Sequence, residues 1–235
     1  MCGARSLHVC RRNQNGDLAP VHMLKRAAMA VITFSREMGS RGDDVARAVA
    51  ERLGLRLVGR ELINRAAKEA GAPEVALAEI DELGLLGVKP SAAALRLYQE
   101  KVAAVIHELA ADGDVLLVGR GGQMILADRP DALHVRIIAP RPMRLALVQE
   151  RCRVPAEIAA ARIEASDAAR TGFLKRHFGV RGDEAHLYDL VINLAHLDVT
   201  AAVDLVCLAA ARLDSAVRTN EQEPHSQAAE GCECR

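Results

Sequence analysis

Aromatic side chains are scarce in this chain: three Phe, two Tyr and no Trp in 235 residues. A surface that stacks the bases of single-stranded nucleic acid needs such rings, so that class of function is excluded. Net charge is missing too, with 31 Lys and Arg against 31 Asp and Glu. Coating a polyanion takes an excess of positive charge, so any phosphate handled here must meet a local cluster of arginines. No uninterrupted apolar run has membrane-spanning length. The best stretch, 191–211, is broken by Asp198 and Asp204, and a bilayer span needs about 20 predominantly apolar residues. The first 28 residues have no hydrophobic segment of the signal-peptide kind. The expectation is a cytoplasmic protein with neither a membrane nor a nucleic-acid polymer as partner. Of the six cysteines, Cys2, Cys10, Cys232 and Cys234 lie in the tails, and no metal-ligand spacing or disulfide framework emerges.

Half of the residues are hydrophobic and 26% are charged, enough for one substantial core. Residues 1–28 hold five Lys or Arg and one Asp without periodicity and read as a flexible basic extension. From 215 to 235 the chain is polar, carries Pro224 and reads as a disordered tail. Between them, 29–214 read as one domain. Apolar runs at 29–34, 56–58, 114–118, 133–139 and 188–194 are strand candidates. Helical patterns cover 43–53, 61–71, 74–82, 91–111, 121–127, 141–152, 155–177 and 199–214. Ser91 can cap the fourth helix, where Leu95, Tyr98, Val102, Ile106 and Leu109 repeat along one face. The runs at 114–118 and 133–139 suit strands buried on both faces. This alternation predicts an α/β three-layer sandwich around a five-stranded parallel sheet. Ligands of such sheets bind at the carboxyl ends of the strands, and both the 35–42 turn and Gly119-Arg120 fall there.

Residues 32–54, ITFSREMGSRGDDVARAVAERLG, read as strand, glycine-bearing turn and helix. That is the layout of a phosphate-binding loop, but the lysine and hydroxyl of a full Walker A sequence are absent. Gly39, Ser40 and Gly42 keep the small residues that let backbone approach an anion, and the next helix would aim its amino terminus into the loop. Asp43 and Asp44 put negative charge where a phosphate would sit. Simple capping of the helix explains them equally well.

Together with VLLVGRGGQMIL, LHVRIIAPRPMRLALVQER, IEASDAAR and YDLVINLAHLDVTAAVDLV, that loop resembles the cytidylate kinase-like family, a branch of the P-loop nucleoside monophosphate kinases. The motifs run collinearly over about residues 29–210. The resemblance implies a P-loop kinase-like fold, ATP and Mg²⁺ as cofactors, and transfer of a phosphoryl group to a (d)CMP-like acceptor. It also implies roles for named residues. Gly39, Ser40, Arg41 and Gly42 match the phosphate loop; Gly42 stands in the place of the cytidylate kinase lysine and Asp44 in that of its threonine. Arg36 or Arg41 could restore the missing charge, and a solvated arginine beside Glu37 or Asp43 is the competing explanation. Asp44 could also reach Mg²⁺. Arg65 and Arg120 match arginines of the acceptor site. Asp167 and Arg170, with Arg162, Lys175 and Arg176 in the same basic segment, resemble a lid over 155–177 that closes on the donor; an ordinary exposed helix is the plainer reading. Where cytidylate kinases carry an Asp-Ser-Gly turn at the base, this chain has Gly59-Arg60-Glu61, so Arg60 would meet the acceptor differently.

Phosphoryl transfer needs alignment and charge neutralisation more than covalent help. Arginine suits it, because its planar fork grips phosphate oxygens and stays charged. Arg120, Arg162 and Arg170 are therefore the catalytic candidates. A non-catalytic nucleotide-binding or regulatory protein on the same fold is the alternative, since fold does not guarantee activity.

Overall fold

The computed structural model describes residues 30–72 and 91–222. The extension 1–28 and the helix expected over 74–82 lie outside them. In chain order the elements are β1 (Val31–Arg36), α1 (Gly42–Leu53), β2 (Arg56–Val58), α2 (Arg60–Glu69), α3 (Ala92–Asp112), β3 (Val115–Val118), α4 (Gly122–Ile125), β4 (Ala132–Ile138), α5 (Arg141–Cys152), α6 (Ala156–Phe178), β5 (Leu190–Asn193) and α7 (Val199–Gln222). A 3₁₀ turn at Ala185–Leu187, not expected from the sequence, precedes β5. The last helix passes the expected end at 214. No Gly or Pro interrupts the chain between Val199 and Pro224, so helix propensity does not stop it there.

The five strands form one sheet in the order β2-β3-β1-β4-β5. Every pairing is parallel, with Val31 opposite both Val115 and Ala132. Successive side chains of a strand point to opposite faces, and the sheet has two cores accordingly. On one face Ile32, Phe34, Leu116, Val135 and Ile192 pack against Val45 and Val49 of α1 and Val203 and Val206 of α7. On the other, Val31, Val115 and Leu117 meet Ile63 of α2 and Tyr98, Val102 and Ile106 of α3. Ser91 caps α3 as expected, its hydroxyl accepting from the Ala94 amide at 3.1 Å. Among the described residues, no helix is long and apolar enough to cross a membrane.

β1 is the central strand, and its continuation positions the site. The chain crosses from β1 over β3 to β2, while β4 lies on the other side of β1. The crevice at the carboxyl end of β1 is therefore the topological switch point. Two further helices wall it. α5 and α6 pack together through Val148, Ala159 and Ile163, and α6 runs on to its Gly179 cap. The loop after β1 is pressed against α5: Gly39 has φ 78°, and a Cβ there would lie 2.5 Å from the Arg144 carbonyl oxygen.

Gly54, which ends α1 with φ 66°, has open space around its Cβ position. Gly54→Ala should cost only the left-handed strain, about 1 kcal/mol. Gly39→Ala adds a clash with backbone that no rotamer relieves, for roughly 2 kcal/mol more. Denaturant unfolding of the two variants checks this, and equal losses would mean that the loop is not wedged on α5.

Candidate active site

The site begins with Glu37, the first residue beyond β1. Its amide donates to the Ile137 carbonyl at 3.2 Å, and its carboxylate accepts from the Ala139 amide at 3.3 Å. Glu37 also faces two buried arginines, Arg136 of β4 at 3.7 Å and Arg144 of α5 at 3.4 Å. Arg144 reaches further. Its Nε donates to the Met38 carbonyl at 2.7 Å, and a terminal nitrogen pairs with Asp167 of α6 at 2.9 Å. Asp167 in turn holds Arg170 at 3.1 Å, and Arg170 donates to the Arg36 carbonyl at 3.2 Å. Arg136 also donates to the Gly182 carbonyl and lies with its Cζ 5.5 Å from the Tyr188 ring centroid. One chain of charges thus ties the loop, β4, α5 and α6 together. Three arginines stand against two carboxylates in it. Burial, then the charge of Arg136, lowers the affinity of Arg170 for its proton, with Asp167 and Glu37 opposing.

The loop itself is held by Ser40, whose buried hydroxyl donates to the Glu37 carbonyl at 2.8 Å and accepts from the Gly42 amide at 3.3 Å. Gly39 and Arg41 both have left-handed backbone, with φ 78° and 64°. Such a curl turns successive amides to one side, the arrangement that cradles anions. Arg36 pairs through Nε with Asp43 in the first turn of α1 at 2.8 Å.

After β3 the backbone is more strained. Gly119, Arg120 and Gly121 have φ of 84°, 54° and 70° in succession, and a left-handed residue with a Cβ costs roughly 1–2 kcal/mol. A Cβ on Gly121 would lie 2.4 Å from Phe178, so the glycine lets the end of α6 close on the turn. Arg120 is consequently buried, with its guanidinium carbon 5.8 Å from the Phe173 ring centroid.

These elements enclose a cavity of about 460 Å³ at the carboxyl ends of β1 and β3. Arg36, Arg60, Arg120, Arg162, Arg170 and Arg176 line it, and among the described residues no Asp, Glu or His does. Five of these six arginines are site candidates from the sequence, and Arg176 belongs to the same basic segment. Gly39, Ser40 and Arg41 line a second cavity, of about 540 Å³, whose other wall includes Ala139, Leu147, Leu194 and Leu197. Gly42 is buried at the start of α1.

Four residues expected at the site lie away from both cavities. Arg65 is exposed on α2 and lines neither cavity, because Ile63, Asn64 and Ala67 form the buried side of that helix. Asp44 lines neither cavity and is taken up by Arg41 at 3.2 Å and by Arg151 of α5. Burial works to raise its carboxyl, yet the hydrogen bonds from Arg151 and Arg41 hold it below the ordinary value. Asp167 braces Arg144 and Arg170 and lines neither cavity. Lys175 is exposed on α6 and lines neither cavity as well. Arg136 and Arg144 carry no motif that marks them as site residues, and Glu37 is marked only as a possible partner of a loop arginine. A signal was present for Arg136: a charge inside the apolar run LHVRIIA must be buried and paired if that strand is central.

The model of the cytidylate kinase-like family matches residues 31–196. Among solved structures, an uncharacterized protein from Eubacterium ventriosum ATCC 27560 is 22% identical with a TM-score of 0.62, covering 77% of this chain and 98% of that one. That likeness is one of fold. A gluconokinase from Sinorhizobium meliloti 1021 is 13% identical with a TM-score of 0.49, covering 84% of this chain and 100% of its own. A shikimate kinase from Bacteroides thetaiotaomicron is 12% identical with a TM-score of 0.45, over 77% and 98% of the two chains. No protein of curated function matches the chain.

The second half of α6 is fixed by an aromatic cluster, in which the His177 ring lies 4.5 Å from Phe173 and 6.2 Å from Tyr98 of α3 between centroids. Burial, followed by the charges of Arg176 and Arg120, pushes this imidazole down from 6.5 to about 4. As pH falls below 6.5 the unfolded chain takes up a proton that folded His177 refuses until about 4, so stability falls with pH across that window. His177→Phe should flatten the pH–stability profile there, leaving the slope from His134, which burial also depresses. Urea midpoints between pH 7 and about 4.5 measure it; an unchanged profile would show that His177 is not held neutral.

Proposed function

We propose a phosphotransferase function for this chain, which belongs to the cytidylate kinase-like family. The reaction moves the terminal phosphoryl group of ATP onto the phosphate of a (d)CMP-like monophosphate. One observation carries the choice of acceptor: six arginines and no Asp, Glu or His line the cavity among the described residues. A hydroxyl acceptor needs a general base within hydrogen-bond reach. An acceptor phosphate is ionised already and needs only its charge neutralised, which guanidinium forks do.

The donor fits the other side of the loop. The curl at Gly39–Arg41 and the amino terminus of α1 suit its phosphates, and the largely apolar second cavity suits a flat base. A protein-held metal does not fit. Among the described residues no three His, Cys, Asp or Glu cluster to hold one, and Asp44 is engaged by arginines. Mg²⁺ therefore enters with the nucleotide, and the chain's own contribution is made by arginine. Arg120 grips the acceptor phosphate from beneath. Arg162 and Arg170, just over two turns apart on α6, face the moving group, while α6 itself keeps water out. Arg60 at the cavity edge meets the acceptor base or sugar.

Arg120→Ala should weaken monophosphate binding by about 1.5–3 kcal/mol, the scale for a charged hydrogen-bond partner. Arg120→Lys should recover part of it. Titration calorimetry with CMP, run beside thermal unfolding, reads both. A loss of stability with unchanged affinity would move the acceptor elsewhere.

A further inference from the structure

A full phosphate loop carries a lysine at the first helical position, and here that position is Gly42. The structure shows why no side chain can grow from it. A Cβ on Gly42 would lie 2.4 Å from Cβ of Arg36 and 3.0 Å from its Cγ, with Ile137 Cβ at 3.2 Å behind. The space beside Gly42 is already filled by the stem of an arginine that enters from the end of β1. No lysine lines either cavity among the described residues.

We infer that Arg36 does the work of the missing lysine, neutralising the outer phosphates of the donor from the strand side of the loop. This rests on the phosphotransferase reading and adds to it the residue that compensates its most evident defect. Three observations converge. Arg36 lines the arginine cavity, where the phosphoryl group must pass. Asp43 grips its Nε at 2.8 Å from the first turn of α1, which holds the guanidinium at the helix amino terminus. Among the described residues Asp43 is the one side chain it pairs with, through Nε, so the terminal nitrogens are the edge that can fork a phosphate. Asp43 then has a purpose. A carboxylate that looked hostile to phosphate in the sequence orients the cation that replaces lysine.

Arg41, the other candidate, is placed differently. It pairs with Asp44 at 3.2 Å and lines the second cavity. It therefore belongs with the inner part of the donor, away from the transfer point.

The close approach makes a swap the decisive experiment. Calorimetry on the full chain compares ATP, ADP and AMP, with Mg²⁺ present, for the wild type, Arg36→Ala, and the exchange Arg36→Gly with Gly42→Lys. Thermal unfolding is run on each, together with Gly42→Lys alone. Arg36→Ala should weaken ATP on the order of ten- to a hundredfold, ADP less, and AMP under about twofold, because a charge-assisted contact to outer phosphates is lost. The exchange should regain most of the ATP affinity, since glycine at 36 removes the obstructing stem. Gly42→Lys alone should lower the melting temperature. ATP binding unchanged in Arg36→Ala, or ATP and AMP weakened by the same factor, would overturn the inference while leaving the phosphotransferase reading intact. A folded wild type that binds none of the three nucleotides would overturn both.

Discussion

Two carboxylates hold the site together. Glu37 and Asp167 are the counter-ions that allow Arg136 and Arg144 to be buried, with Arg170 half-buried beside them. Leaving such a charge unpaired in the interior costs several kcal/mol, so the arginines can gather only where those two acids stand. Each acid comes from a different element: the loop after β1 supplies one and α6 the other. The loop, β4, α5 and α6 consequently meet at one point. The wedging of Gly39 on Arg144 and the bond from Arg144 Nε to the Met38 carbonyl follow from the same meeting.

The chain of charges is left one carboxylate short, and the deficit is on the cavity side. Arg170 belongs to the chain and to the cavity lining at once. Around it the lining adds five more arginines, and among the described residues no Asp or Glu shares that lining. Arg36 and Arg60 are tethered from outside the cavity, by Asp43 and Glu61. Such a tether orients a guanidinium and leaves its outer edge for a ligand. On the proposed function a phosphate completes this arrangement better than a neutral group does, because guanidinium forks donate to its oxygens. The second cavity, by contrast, is lined mainly by apolar side chains, with Arg41, Glu150, His196 and Asp198 among them. Ser35, Arg36 and Met38 line the first cavity and Gly39, Ser40 and Arg41 the second, so the loop after β1 lies between them.

The sheet was legible because strand signals are local. All five apolar runs became strands, and 114–118 and 133–139 are interior to the sheet as their uniform apolar character requires. The Ser91 cap and the helical repeat behind it were legible for the same reason. The cavity arginines Arg120, Arg162 and Arg170 were visible as motif positions. What could not be read was pairing at long range. Arg144 meets Met38 and Asp167, 106 and 23 residues away, and neither partner is marked in the sequence near it. Asp44 looked available for a metal because Arg151, its main partner, is 107 residues distant. For Arg65 motif position and helix periodicity point different ways: it lies beside Ile63, Asn64 and Ala67 but off their buried face.

On the proposed function the arginine cavity receives an acceptor already ionised. Phosphorus NMR of the protein with ATP, Mg²⁺ and either CMP or cytidine tests it directly. Diphosphate signals of a new nucleotide should grow with CMP, and cytidine should be left unchanged. Phosphorylation of the nucleoside hydroxyl, with the monophosphate untouched, would contradict it.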